Sequence, residues 1–368
     1  MSFDKIKGNL GFGCMRLKMK DNEVDKEEFN RMIDAFMDAG FNYFDTAHGY
    51  IGGKSEKAIR DCLSARYNRE DFVLANKISY WGFEKEEDII PLFEEQLKLC
   101  GVEYFDFYLF HAMNRGAYEK HKRCNTFEIV KQLKQQGKIK HIAMSFHDTA
   151  DFLDLILTEQ PYMEAVQLQL NYLDYDDPTV QSKACYDVAV KHGKKVIVME
   201  PVKGGALVNL PKEAATVLEE LGKASQASYA LRYAASYPEV FMVLSGMGNT
   251  EMMNDNIKTL KNFVPIRNDE FKIFDKAREI IRTVKQLACT KCNYCADVCP
   301  SKIHISEIFS IYNSYLGAKI SRSQTNEYLA SHLEEISSCI KCGKCENTCP
   351  QNINIRNELE RIEKIADE

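Results

Sequence analysis

The stretch GFNYFDTAHGY, residues 40–50, shows the unit from which the first part of the chain is built: a short apolar run that stops at a polar side chain. Two later stretches have the same form, FVLANK at residues 72–77 and FDFYLFH at residues 105–111. Patterns typical of amphipathic helices lie between such runs, for example over residues 25–39 and 86–99. This alternation predicts parallel strands joined by crossover helices.

Counting these runs predicts the fold class. Eight apolar runs of strand length occur, at residues 10–15, 41–44, 72–75, 105–110, 139–144, 165–168, 195–199 and 240–244. Eight strand–helix units in about 260 residues are the size of a (β/α)8 barrel, or TIM barrel. A doubly wound open sheet is the alternative, but no G-x-G-x-x-G stretch follows an early strand. We therefore predict an α/β chain that begins with a TIM barrel.

The end of the chain carries a duplicated cysteine run with the spacing C-x2-C-x2-C-x3-C-P. The first run consists of Cys289, Cys292, Cys295 and Cys299, and the second of Cys339, Cys342, Cys345 and Cys349. Bacterial ferredoxins use this spacing to hold [4Fe–4S] clusters, and the fourth cysteine of each run ligates the other cluster. The runs thus predict a small, mainly helical, ferredoxin-like domain with two [4Fe–4S] clusters, and Cys299 and Cys349 exchanged between them.

Structural zinc and disulfide bonds are the alternative uses of these cysteines. Zinc sites pair two C-x2-C segments across a long loop, whereas here three equally spaced cysteines and a Cys-Pro pair occur twice. Disulfides conflict with a reducing compartment. The five other cysteines, spread over the first 288 residues, are expected to behave as small apolar side chains.

Composition and charge exclude several classes of partner. The formal net charge is −6 and the basic residues are scattered, so we expect no nucleic-acid partner. No apolar run reaches 18 residues and the start lacks a signal-like segment, so we expect a cytoplasmic protein that does not bind a membrane. The predicted domains are the barrel at residues 1–267 and, at residues 268–368, a linker helix with the two-cluster domain.

Four polar side chains near the ends of successive predicted strands form one chemically coherent set. Asp45 and Tyr50 follow the second strand, Lys77 the third, and His111 the fourth. The phenol of tyrosine has a pKa of about 10, which a neighbouring ammonium lowers, and a carboxylate keeps that ammonium charged. A phenol tuned in this way donates a proton to a carbonyl oxygen while a hydride reaches the carbon. Each of these residues taken alone is more often structural.

With these residues the sequence resembles the aldo-keto reductase family. The resemblance covers residues 10 to about 262, and G-F-x-x-F-D-T-A-x-x-Y at residues 40–50 is its most specific part. The resemblance implies that Tyr50 is the general acid/base, that Lys77 and Asp45 tune it, and that His111 orients the substrate oxygen. The whole chain resembles a bacterial subgroup in which the reductase is fused to an iron–sulfur domain.

The resemblance also implies residues that contact a nicotinamide cofactor, NAD(P)(H). Expected contacts to the nicotinamide are Ser145, Gln167 and Met199; the phosphates are expected near Pro201, Val202, Gly204 and Gly246, and the adenine near Asp255 and Asn256. The sequence departs from the family at Phe146, where an asparagine is usual, and at Met199, where a tyrosine is usual. A plain glycine-rich turn is the alternative for residues 201–205.

One further departure bears on the choice of dinucleotide. Members of the family that prefer NADP carry an arginine four residues before the adenine-binding asparagine, whereas this sequence has Met252 there. A 2′-phosphate is best held by a guanidinium group. The sequence therefore favours NAD(H), with Lys258 and Lys261 further along the same predicted helix as substitutes.

Three functions are compatible with these patterns. The first is an oxidoreductase that interconverts a carbonyl and an alcohol of a small molecule by hydride transfer, with two clusters for electron transfer. The second is a redox relay in which the clusters exchange electrons with a flavin in the barrel or with an electron-transfer partner. The third is an electron carrier with the barrel as a scaffold. Hydride transfer moves two electrons and each cluster one, so direct exchange between them needs an intermediary. The sequence names neither the substrate nor the oligomeric state.

Overall fold

The computed structural model describes residues 3–284, 286–317 and 319–367. These residues form two compact units. The barrel unit comprises Met1–Val202 and Ala227–Glu270, and the second unit comprises Lys203–Gln226 and Phe271–Glu368, each as far as it is described.

The barrel unit contains a closed, parallel, eight-stranded barrel, which confirms the predicted fold class. Each strand pairs with the next barrel strand along the chain, and β10 closes the barrel against β1. The barrel strands are β1 (Leu10–Gly13), β4 (Tyr43–Asp45), β5 (Val73–Ser79), β6 (Phe105–Met113), β7 (Ile139–Phe146), β8 (Ala165–Gln169), β9 (Lys195–Met199) and β10 (Val240–Gly246). The short strands β2 (Met19–Lys20) and β3 (Glu23–Val24) pair antiparallel outside the barrel.

Helices connect the barrel strands. They are α1 (Lys26–Asp38), α2 (Lys54–Ile59), α3 (Ile89–Cys100), α4 (Arg115–Arg123), α5 (Thr126–Gln135), α6 (Ala150–Glu159), α7 (Ser182–Lys191), α9 (Gln226–Ala235) and α10 (Thr250–Lys261). Asp25 caps α1 as its sequence position indicates, because its carboxylate accepts a hydrogen bond from the Glu28 amide at 3.1 Å. Phe29, Met32 and Phe36, at helical spacing, turn one face of α1 towards the barrel.

Two apolar layers hold the barrel together. Between the strands and the helices, the Phe12 ring lies 5.8 Å from the rings of both Phe36 and Phe44. Inside the barrel, the Tyr43 and Phe107 rings lie 5.6 Å apart, tilted by 54°, within a second buried cluster. Full burial of one such side chain stabilises the fold by about 1.5–3 kcal/mol, so the many buried rings fix the strand ends that carry the polar residues.

The second unit is helical. Its elements are α8 (Lys212–Leu218), α11 (Phe271–Thr283), α12 (Tyr294–Asp297), α13 (Ile305–Leu316), α14 (Arg322–Leu329), α15 (Leu333–Ser337), α16 (Lys344–Thr348) and α17 (Ile355–Asp367). Its core joins Ile308, Phe309 and Tyr312 of α13 to Leu359 and Ile362 of α17. Between α14 and α15 lies a 3-10 turn, Ala330–His332.

The division of the chain differs from the predicted boundary in one segment. Lys203–Gln226 lies within the predicted barrel domain, yet it belongs to the second unit. The reason is the packing of α8 against α11. The second unit resumes at Phe271, three residues after the predicted start. Of the described helices, none combines the length and the apolar character needed to span a membrane.

Candidate active site and cysteine centres

Asp45 and Lys77 meet because of the strand register. Asp45 ends β4 and pairs with Ala75 of β5. Lys77 follows two residues later, so it points to the same face of the sheet. Its ammonium donates to Asp45 Oδ1 at 2.6 Å and to the Thr46 carbonyl oxygen at 2.8 Å. The structure thus forms the acid–ammonium pair expected from the sequence.

Tyr50 and His111 complete the same cluster. Tyr50 lies in the loop after β4, and the centre of its ring is 5.0 Å from Lys77 Nζ. The Tyr50 and His111 rings are 5.9 Å apart in an edge-to-face arrangement. All four predicted side chains are therefore brought together, and each exposes at most 8% of its surface.

The buried setting acts on both members of the ion pair. Burial raises the pKa of Asp45, and the attraction of Lys77 opposes this shift. Burial lowers the pKa of Lys77, and Asp45 opposes that shift in turn. At 2.6 Å the attraction between the two groups favours the charged form of each, against the effect of burial. Asp45 Oδ2 accepts no hydrogen bond within the described chain, so Oδ1 alone carries the pairing.

His111 is an uncharged ring at neutral pH. Burial lowers its pKa well below the usual range, and the positive charge of Lys77 and the neighbouring His147 lower it further. Its Nδ1 lies 2.6 Å from the hydroxyl of Ser79, the residue that pairs with it across β5 and β6. The ring is thereby held in one orientation.

Three neighbours of His111 were not singled out from the sequence. They are Ser79, Trp81, whose ring lies 5.0 Å from His111, and His147, just beyond β7. Burial lowers the pKa of His147 to about 4, against a hydrogen bond with Gln169. Ser79 and His147 follow the rule that identified Lys77, a polar residue at a strand end. Applying that rule to every strand would have found them.

Two of the expected nicotinamide contacts are buried neighbours. Ser145 of β7 pairs with Gln167 of β8, so both side chains face the same way. The Ser145 hydroxyl accepts a hydrogen bond from the Ala112 amide at 2.8 Å. Gln167 Oε1 is buried and accepts none within the described residues. An amide N–H group would satisfy this oxygen.

The loop after β9 carries residues expected near the phosphates, and one of them, Gly204, packs closely against another loop. Met199 ends β9 half-buried, Pro201 is buried and Val202 half-buried. At Gly204, φ is +60°, and a Cβ atom would lie 2.6 Å from the Thr290 carbonyl oxygen. The close approach that requires a glycine is therefore made to the chain beside Cys289, within the second unit.

The remaining expected contacts lie around β10 and α10. Gly246 ends β10, with the Arg16 side chain 3.4 Å from the position of a Cβ atom. Asn256 is buried and donates to the Ser245 hydroxyl at 2.8 Å, while Asp255 is half-buried. The aliphatic part of Arg16 therefore lies beside Gly246, a neighbour that the sequence did not predict.

The eight cysteines of the duplicated runs surround two cavities in the second unit. One is lined by Cys289, Cys292, Cys295 and Cys349. The other is lined by Cys299, Cys339, Cys342 and Cys345. Each cavity thus takes three cysteines from one run and the fourth from the other, as the exchanged ligand sets require.

The chemistry of these cysteines suits a bound cationic centre. Burial raises the pKa of Cys345 to about 11 and also raises that of Cys295, and nearby thiols add to both shifts. Thiols in such surroundings stay protonated unless a metal ion ligates them. The grouping of four sulfur atoms around each cavity therefore fits iron–sulfur ligation better than a set of free thiols.

Known proteins resemble the two parts of the chain separately. Residues 9–279 match the aldo/keto reductase family, and residues 288–354 match the 4Fe-4S dicluster domain. L-galactose dehydrogenase of Arabidopsis thaliana is 25% identical over 298 residues, covering 76% of this chain and 92% of that protein. An uncharacterized oxidoreductase of Bacillus subtilis, YqkF, is 23% identical, covering 68% of this chain and 86% of that protein.

Solved structures share the barrel fold. The holo form of aldo-keto reductase AKR11C1 from Bacillus halodurans superposes with a TM-score of 0.61 at 23% identity, covering 73% of this chain and 91% of that one. An aldo/keto reductase from Klebsiella pneumoniae in complex with NADP and acetate gives a TM-score of 0.59 at 18% identity, covering 73% of this chain and 90% of that one. At these identities the likeness concerns the fold.

Proposed function

Because the chain belongs to the aldo/keto reductase family and is an oxidoreductase of that type, we propose that it interconverts a carbonyl and an alcohol by hydride transfer with a nicotinamide cofactor. The observation that carries this proposal is the buried Lys77 ammonium, 2.6 Å from Asp45 Oδ1 and 5.0 Å from the Tyr50 ring. A phenol beside a fixed positive charge is a better acid than one in water.

Each residue of the cluster has a separate task in this proposal. Tyr50 donates a proton to the carbonyl oxygen during reduction and takes it back during oxidation. Lys77 stabilises the phenolate, and Asp45 keeps the ammonium charged and in place. We assign His111 the neutral tautomer in which Nδ1 accepts from the Ser79 hydroxyl, so that the proton on Nε2 donates a hydrogen bond to the substrate oxygen.

The residues present fit a nicotinamide. Gln167 Oε1 is the buried acceptor that a carboxamide N–H group would satisfy, with Ser145 beside it. When bound, the nicotinamide ring supplies or accepts the hydride. Pro201, Val202 and Gly246 remain expected contacts for the rest of the dinucleotide, as do Asp255 and Asn256. Gly204 also remains an expected phosphate contact, although Thr290 lies close to it.

The preferred dinucleotide in this proposal is NAD(H). Met252, on the first turn of α10, is half exposed and offers no charge to a 2′-phosphate. We expect Met252→Arg to raise kcat/KM for NADPH relative to NADH by about tenfold, because a charged hydrogen bond contributes about 1.5–3 kcal/mol. Steady-state kinetics with both coenzymes test this. Glu251→Arg, on the preceding residue, is the control for added charge, and an equal shift there would contradict the assignment.

The second unit carries iron–sulfur clusters in this proposal, two of the [4Fe–4S] type, which exchange electrons with a partner. The cysteine cavities and the dicluster match support the ligand sets. When bound, each cluster passes one electron at a time. We also propose a cytoplasmic location, because cysteine thiols stay reduced in that compartment. A flavin would be needed if the clusters were to exchange electrons with the barrel.

The experiment that tests the catalytic assignment replaces Tyr50 by phenylalanine. We expect carbonyl reduction, followed as coenzyme oxidation with a panel of aldehydes and ketones, to fall by about 10²–10⁴-fold, since the proton donor is lost. Coenzyme affinity, measured by the fluorescence of Trp81, should change little. Tyr67→Phe is the matched control, because that phenol donates to Asp34 at 2.6 Å instead. Near-wild-type turnover of Tyr50→Phe would overturn the assignment.

A further inference from the structure

Two histidines and a glutamate in the second unit form a cluster whose side chains do not line either cysteine cavity. His304 precedes α13, His332 lies in the turn before α15, and Glu335 lies in α15. One potential ligand atom from each lies within 4.8 Å of the other two. Two imidazoles and a carboxylate are a donor set that proteins use for zinc and related divalent ions.

The distances within the group match those of neighbouring metal ligands. His304 Nδ1 lies 2.9 Å and His332 Nδ1 3.5 Å from oxygen atoms of Glu335. Zinc–nitrogen and zinc–oxygen bonds are about 2.0–2.2 Å, so ligand atoms around one ion lie about 3.0–3.5 Å apart. Both separations from Glu335 therefore fit a small ion bound by an imidazole and the carboxylate, and the ligand atoms of the two imidazoles lie within 4.8 Å of each other.

The buried histidine provides an independent sign of a ligand. His332 is 8% exposed, and its Nδ1 has no hydrogen-bond partner within the described chain although it faces Glu335. Its other nitrogen, Nε2, lies 3.9 Å from Glu307 Oε1. A carboxylate on that side favours a proton on Nε2 and leaves the Nδ1 lone pair facing Glu335, an arrangement that a cation between them stabilises.

The cysteine repeat does not explain His304. The residue at the same place after the second run, five positions beyond Cys349, is Asn354. A histidine is therefore not needed to form the turn that follows a Cys-Pro pair. The Glu335 carboxylate is also held in place, because Oε2 accepts hydrogen bonds from the His304 backbone amide at 3.0 Å and from the His304 ring.

We propose that His304, His332 and Glu335 bind one divalent transition-metal ion of the Zn²⁺ type. Half-exposed Glu335 and exposed His304 leave room for water as a further ligand. The ion joins two segments that also supply cysteines to one cavity, since His304 follows Cys299 by five residues and Glu335 precedes Cys339 by four. It thus acts as a structural link beside that cavity.

The test is a titration of anaerobic holoprotein, after treatment with a mild chelator, with Zn²⁺ alone. We expect one equivalent to bind per chain by calorimetry while the iron and sulfide contents stay constant. His304→Gln and Glu335→Gln should each weaken binding by at least about tenfold, the smaller effect typical even of residues that only support metal ligands. His192→Gln is the control, because His192 contacts a carboxylate, that of Asp154 at 2.6 Å, but has no second imidazole beside it in the described chain. The Zn²⁺ affinity of this variant should match that of the wild type.

Three results would overturn the proposal. The first is a Zn²⁺ affinity that is unchanged in both variants. The second is Zn²⁺ uptake that releases iron, which would place the ion at the cysteines, and the third is displacement of Zn²⁺ by an equal concentration of Mg²⁺, which would show non-specific carboxylate binding. His304 is exposed, so its replacement tests binding without disturbing the core.

Discussion

At the scale of single residues, the ion pair of Lys77 and Asp45 bears on stability and, in our proposal, on catalysis. Both side chains are almost fully buried, and neither has access to water that could replace its partner. Removing one partner of such a pair leaves an uncompensated charge in an apolar setting. The same pair that tunes Tyr50 in our proposal is therefore expected to be costly to break.

Lys77→Met should lower the free energy of unfolding of the barrel unit by about 3–5 kcal/mol, because Asp45 stays buried without its counter-charge. Urea unfolding followed by fluorescence measures this, since Trp81 is the one tryptophan of the chain. Asp45→Asn combined with Lys77→Met should recover much of the loss. Lys26→Met, which breaks an exposed pair with Asp61, should cost less than about 1 kcal/mol. A small effect of Lys77→Met would contradict the burial argument.

At the scale of elements, the turn after β9 packs closely against the loop that contains Thr290. Gly204 and Gly205 both have positive φ, at +60° and +97°. Only Gly204 lies against another part of the chain, where a Cβ atom would be 2.6 Å from the Thr290 carbonyl oxygen. Thr290 directly follows Cys289, so a shift of this backbone moves a cavity-lining cysteine.

This pair of glycines offers a matched comparison. Gly204→Ala and Gly205→Ala both introduce a Cβ atom at positive φ, costing about 1–2 kcal/mol each. Gly204→Ala adds a backbone clash, so we expect it to destabilise the second unit by about 1–3 kcal/mol more. Cluster loss in urea with an iron chelator, followed by visible absorption, measures the difference. Equal behaviour of the two variants would show that the approach to Thr290 is not tight.

At the scale of the whole molecule, each cysteine cavity is lined by residues from both cysteine runs, because Cys299 and Cys349, 50 residues apart in the sequence, lie in the cavity of the other run. In our proposal these two cysteines are exchanged between the clusters. Their ligand sets can be distinguished by pairs of substitutions, since two substitutions at one centre cost no more than one.

Cys292→Ala with Cys349→Ala should remove one cluster and leave about four of the expected eight irons per chain, since both line the same cavity. Cys292→Ala with Cys342→Ala affects both cavities and should leave almost none. Iron and sulfide analysis of anaerobically purified protein measures both. If the first pair also loses all its iron, its two cysteines serve different clusters and the ligands are not exchanged.

Much of this protein is fixed by local sequence patterns. Eight apolar runs alternating with amphipathic segments specified the barrel, because strand and helix periodicity depends on near neighbours in the chain. The spacing of the cysteines specified a two-cluster domain, because a cluster is wrapped by consecutive turns. The strand-end rule also selected Asp45, Lys77 and His111, since parallel strands in a barrel present their carboxyl ends at one rim.

Only the tertiary structure decided which distant segments meet. No local pattern shows that Gly204 packs on Thr290, that Lys203–Gln226 joins the second unit, or that His304 approaches Glu335. Gly204 and Thr290 are 86 positions apart, and His304 and Glu335 are 31 positions apart. Such contacts depend on how whole helices pack. The neutral state of His111 has the same origin. Its pKa follows from burial and from charges on other strands, which exist only once the barrel has closed.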